Sequence, residues 1–221
     1  MTVNHFAVPS VHTALRWCGR CLLTGAALLT AGYWLRPPIE KEYIDQFAGP
    51  AALASSLLTG AGSLLLLLGL PGLFARQMAQ TGKGGLVSAG LSFTGLAAFH
   101  LGTLALYFVL PVLVHHAPQT RSLLYSDAPP FPRFALFWAL GLLVQAVGLG
   151  WYALLTLRAR VFPRPAAGLL LTGALLLAAA PGLNFGLLQP ATTAVMLGLA
   201  WCGAALLRQP APVAEAQPVA I

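Results

Sequence analysis

A histidine in the middle of a long apolar run is the residue of this sequence best placed to do chemistry. His100 falls about halfway along the apolar stretch 86–114, where a side chain not covered by protein would meet hydrocarbon. At 100° per residue, Ser92, His100, Thr103 and Tyr107 fall within an arc of about 80°. In the stretch 134–157, Gly141, Gln145, Gly148 and Tyr152 form a comparable stripe of small and polar residues. Small residues admit a partner's backbone and buried polar groups need partners, so these two helices are expected to pack together. His100 and Gln145 would then sit at one depth and share a hydrogen bond worth about 1 kcal/mol. The imidazole is expected to be neutral there, because hydrocarbon does not solvate a cation. The candidate site is thus His100, Gln145, Thr103 and Tyr107, serving either as a structural pair or as a place that handles a ligand, substrate or proton.

Other chemistries find less support. All five acidic residues, Glu40, Glu42, Asp45, Asp127 and Glu215, lie outside the apolar stretches, whereas proton- or sodium-coupled transport usually places an acid at depth. A His-Glu-x-x-His zinc helix, a Gly-x-Ser-x-Gly elbow and a phosphate-binding loop are missing, and Thr81 to Gly85 reads as a short turn. Haem would need axial partners. His100 and His115 lie about 22 Å apart on one helix, and no other apolar stretch carries a histidine, so no cofactor is expected. Cys18 and Cys21 form a C-x-x-C pair, and Cys202 should lie at similar depth. A three-thiol site is conceivable on that basis, but reduced cysteines used as small apolar packing residues are the expectation. His115 and His116 could join Glu40, Glu42 and Asp45 around a metal only if two loops met, and nothing in the sequence brings them together. No metal site is expected.

The elements that position these residues follow from composition. Of 221 residues, 58% are hydrophobic and 8% are charged, against about 25% charged in a soluble domain. With a mean hydropathy of +0.79, the chain has more apolar surface than one globule of its size can hide in water. The expected fold is therefore an all-α integral membrane protein, a bundle of six transmembrane helices. The spans read as about 17–35, 50–75, 86–114, 134–157, 165–181 and 190–207, the fifth being near the minimum for crossing hydrocarbon. Residues 1–16 form a polar leader, 17–207 the membrane domain and 208–221 a Pro-punctuated tail. The first span has a basic start but no small-x-small cleavage site before Gly32, so it reads as a retained helix and not a signal peptide. Between the first two spans, Ile39, Tyr43 and Phe47 suggest a short interfacial helix. Gln77 to Gly85 reads as a loop, and Ser55, Thr59 and Gly62 as a helix-packing face.

Orientation follows from basic residues. One face carries Arg16, Arg20, Arg76, Lys83, Arg158, Arg160, Arg164 and Arg208, the other only Arg36, Lys41, Arg121 and Arg133, which puts both termini in the cytoplasm. The net charge of +7 is scattered between spans, so nucleic acid is not an expected partner. Trp17, Trp151 and Trp201 fall towards the inner interface, Trp34 and Trp138 towards the outer. Gly148 to Trp151 before Arg158 echoes Gly198 to Trp201 before Arg208. Duplication would produce this, and so would the shared needs of inward-running helices. The expected role is that of a non-catalytic bacterial inner-membrane protein that packs against lipid, another membrane protein or a second copy of itself. A small transporter or permeation subunit built around His100 and Gln145 is the alternative, and an enzyme acting on a lipid or quinone is third.

Overall fold

A computed structural model describes residues 11–36, 49–116, 132–183 and 185–208, and every regular element among them is helical. Helix α1 is Val11–Leu35. The next element, Pro50–His116, is broken at Gly82 into α2 (50–81) and α3 (83–116). Helices α4 (Pro132–Ala159) and α5 (Arg164–Leu183) follow, then a 3-10 turn, Phe185–Leu187, and α6 (Leu188–Leu207). Proline opens the elements at positions 50 and 132, where its missing N–H removes no helical hydrogen bond. The leader up to residue 10, the interfacial segment 37–48 and the tail from 209 lie outside the described residues.

The expected loop from Gln77 to Gly85 is a single-residue corner. Gln77 to Ala79 and Gln80 are good helix formers, so α2 continues to residue 81. Gly82 then adopts φ 53° and ψ −138°, a combination essentially restricted to glycine, and α3 starts at the next residue. The chain doubles back at this point. A Cβ placed on Gly60 would lie 3.2 Å from the Leu104 side chain. Residues that far apart on one unbroken helix would be about 66 Å apart.

The helices close into a ring, since α1 packs on α2, the α2–α3 hairpin on α4, α4 on α5, α5 on α6 and α6 back on α1. Backbones touch at the interfaces. A Cβ on Gly25 would meet the Gly62 carbonyl at 2.9 Å, one on Gly19 the Gly203 carbonyl at 2.8 Å, and one on Gly198 the Ala166 carbonyl at 3.0 Å. Close approach through small residues is how helices associate when lipid removes any hydrophobic drive between them. Ser55 adds a hydrogen bond from its Oγ to the Gly32 carbonyl at 2.8 Å, on the packing face expected from the sequence. Leu22, Leu66, Leu70, Leu142, Leu170 and Leu199 fill the interior.

The outer surface is apolar. Leu53, Leu57, Leu64 and Leu68 form an exposed stripe on α2, and Leu136, Leu140, Leu143 and Val147 form one on α4. Three described stretches are long and apolar enough to cross a membrane: Pro50–Leu104, which the corner at Gly82 folds in two, Leu136–Ala159 and Leu188–Leu207. Arg164–Ala180 is apolar but shorter. Helix α1 is not among them, and it carries Arg16 and Arg20 in its first half. The Arg20 guanidinium lies 5.1 Å from the Trp17 ring, a cation–π contact on one face of α1. At the opposite end of α1, Trp34 donates to Thr193 Oγ1 at 3.1 Å, and Gln189 donates to the Tyr33 carbonyl, tying α1 to α6.

Candidate polar site in the bundle core

The site depends on the register between α3 and α4. A Cβ on Gly95 would run into the backbone of Gln145, one on Gly148 into Ser92 and one on Gly141 into the backbone nitrogen of Phe99. Each move of three or four residues along α3 is matched by an equal move back along α4, so the helices are antiparallel and in step. That register sets Gln145 level with Gly95 and His100 level with Leu140. Five residues separate Gln145 from Leu140, which is about 7.5 Å along the axis.

The expected hydrogen bond between His100 and Gln145 is therefore not made. Both residues are 2% exposed, but neither His100 ring nitrogen has a partner, and Gln145 Oε1 has none. The stripes were identified by periodicity, which fixes the face of a helix and says nothing about axial offset; the glycine contacts fix the offset. His100 turns instead towards α1. Its ring packs edge-on against Phe99, with centroids 5.0 Å apart, and against Tyr33 at 6.4 Å. We expect His100→Leu and Gln145→Leu to be energetically independent, adding within about 0.5 kcal/mol in detergent unfolding. A larger coupling would show that the two side chains meet.

Thr103 is fully committed. Its Oγ1 donates to the Phe99 carbonyl at 2.8 Å and accepts from Trp138 Nε1 at 3.0 Å. Trp138, which the sequence places towards the outer interface, is half-buried and also stacks at a tilt on Phe99. Tyr107 lies on α3, with its side chain outside the described residues, as are those of His115 and His116.

Two further polar residues belong to the interior. Gln77, read from the sequence as a loop residue, is buried, and its Nε2 donates to Thr156 Oγ1 at 2.6 Å. Thr156 Oγ1 in turn donates to the Tyr152 carbonyl. The absence of any helix breaker between Arg76 and Gly82 was the sign that Gln77 remains on the helix. Close by, Phe74 and Tyr152 stack edge-to-face at 5.0 Å.

The three thiols do not assemble. Cys18 is pressed against Gly72 and donates to the Leu68 carbonyl at 3.7 Å, while Cys202 is buried on α6. Among the described residues, no group of three His, Cys, Asp or Glu is placed to hold a metal ion. The core offers, among the described residues, uncharged hydrogen-bonding groups and one imidazole. The chain matches no model of a known protein family, no characterised protein and no solved structure.

Proposed function

We propose that this chain is a six-span integral protein of a bacterial cytoplasmic membrane, with both termini inside, and that it acts without catalysis through packing against lipid or another membrane protein. The observation that carries this reading is the distribution of charge. Antiparallel packing brings the start of α1, the Gly82 corner, the α4–α5 junction and the end of α6 to one end of the bundle. Arg16, Arg20, Arg76, Lys83, Arg158, Arg160, Arg164 and Arg208 gather there, and no Asp or Glu occurs among the described residues. Such an end suits the anionic inner leaflet, where each basic residue contributes about 1 kcal/mol of attraction. The apolar stripes on the outside of the ring suit lipid or an apolar partner helix.

Topology gives the direct test. In intact cells, an impermeant thiol reagent should label a cysteine introduced at Ser122 and leave one at Gln209 unlabelled. Labelling at Gln209 from outside would refute the six-span, both-ends-in arrangement. Recovery of a stoichiometric second protein or a dimer after mild solubilisation would support the packing role, whereas a lone monomer would count against a protein partner.

A second reading, permeation of a small solute through the polar core, is favoured by a specific observation: both ring nitrogens of the buried His100 lack a partner. An unpaired buried polar group costs about 1–3 kcal/mol, so a fold that retains several of them has a use for them or fills them with solvent.

A further inference from the structure

The cations of the basic end fall into two groups. Gln77 on α2 donates to Thr156 on α4 at 2.6 Å, and a Cβ on Gly84 would lie 3.9 Å from the Leu155 side chain, so the Gly82 corner sits beside the end of α4. Two short connections meet there. One carries Arg76 and Lys83, the other Arg158, Arg160 and Arg164, and all five side chains are exposed. Arg16, Arg20 and Arg208 belong to the α1–α6 pair, where Gly19 meets Gly203.

The connection from α4 to α5 is anchored at both sides. Arg160, at φ 55°, turns the chain out of α4 while its N–H bonds the Thr156 carbonyl at 3.0 Å. Phe162 is buried, and the Ala166 N–H closes on the Pro163 carbonyl at 3.0 Å as α5 begins. No Asp or Glu occurs among the described residues, so none of the five cations has a carboxylate partner there. Like charges gathered in this way repel one another, and an anion supplied from outside relieves the repulsion. Guanidinium groups suit a phosphate, because two N–H donors match two of its oxygens.

The apolar surface that leads to the cluster indicates which kind of phosphate. Leu140, Leu143, Val147, Trp151, Leu154 and Arg158 follow one another at steps of three or four and are all exposed, so they form one stripe along α4. It passes from aliphatic side chains through an indole, a group suited to the membrane interface, to a guanidinium. A soluble phosphate would use only the last of these residues. A phospholipid uses the whole stripe. A zwitterionic headgroup would bring its own cation into the cluster, whereas an anionic headgroup brings none.

We propose that the end of α4 is a binding site for one anionic phospholipid, whose phosphate is held by Arg158, Arg160 and Arg164 beside Lys83 and whose acyl chain lies along the α4 stripe. The inference rests on the reading of this end as the one that suits an anionic leaflet, and adds a site and a lipid class to it. Binding to purified protein does not depend on topology, so the labelling test at Ser122 and Gln209 and the test of this site fail separately.

Native mass spectrometry of the full chain in mild detergent, titrated with phosphatidylglycerol or with phosphatidylcholine of the same acyl chains, measures binding. One phosphatidylglycerol should bind per chain, about tenfold or more tighter than phosphatidylcholine. R158Q/R160Q/R164Q should remove this preference, whereas the charge-matched R16Q/R20Q/R208Q should keep most of it. All six arginines are exposed, so both variants should fold. Arg160→Gly, which also releases the positive φ, should weaken phosphatidylglycerol binding several-fold and keeps the test available if the first triple variant is not recovered. Equal binding of the two lipids, or Arg160→Gly binding like the wild type, would overturn the proposal. Equal losses in the two triple variants would overturn the site in favour of bulk charge. Displacement of the lipid by inorganic phosphate at equal concentration would overturn the lipid as the ligand.

Discussion

Replacing Gly95 by alanine is expected to destabilise the bundle by about 1–3 kcal/mol, and replacing it by leucine should abolish recovery of folded protein. The new Cβ would meet the main chain of Gln145, and a helix backbone cannot turn aside as a side-chain tip can. Relief requires moving α3 away from α4 along their whole contact, which also opens the neighbouring approaches of Gly148 to Ser92 and Gly141 to Phe99. Gly90, on the same helix, is the internal control. A Cβ there would meet nothing within 4 Å, so Gly90→Ala should be neutral or stabilising by up to about 1 kcal/mol through helix propensity alone. Thermal unfolding in mild detergent measures both. Equal midpoints for the two variants would mean that α3 and α4 do not touch through Gly95.

The second large effect is expected at the corner. Gly82→Ala should cost about 1–3 kcal/mol although the site is open and a methyl group there would touch nothing. The cost is conformational: at φ 53° and ψ −138° a Cβ is strained by its own backbone, and no neighbouring side chain can relieve it. Gly84 separates this cause from a general intolerance of the segment. Its Cβ would lie 3.9 Å from Leu155, an ordinary contact, so Gly84→Ala should unfold at or above the wild-type temperature. If Gly82→Ala were as stable as Gly84→Ala, the single-residue reversal would be wrong, and a longer loop between α2 and α3 would have to replace it.

The helices and their faces were legible in the sequence, because each face follows from periodicity within one segment. Ser92, His100, Thr103 and Gln145 were all expected to be buried, and all four are. What joins segments was not legible. The offset between α3 and α4 depends on which glycine receives which backbone, and a stripe of small residues offers several settings about one turn apart. His100 and Gln145 were assigned a common depth for that reason, and the register parts them. The hydrogen bond from Trp138 to Thr103 is not legible for the same reason, since periodicity within one helix does not show which residue of another it meets. The corner is hidden for a different reason: glycine clusters suggest a flexible loop, yet one glycine in a rare conformation can replace the loop altogether.

Ring closure also imposes an order on assembly. If helices pair in the order they are made, each finds its neighbour in the chain as it emerges, but the Gly19 face of α1 is completed only by Gly203 on α6. Until α6 arrives, that face and the matching side of α5 are open to lipid or to other proteins. A chain stopped before Leu188 would keep every local pairing and still present two unfinished edges, the situation in which membrane quality control or a second copy of α6 in trans would act.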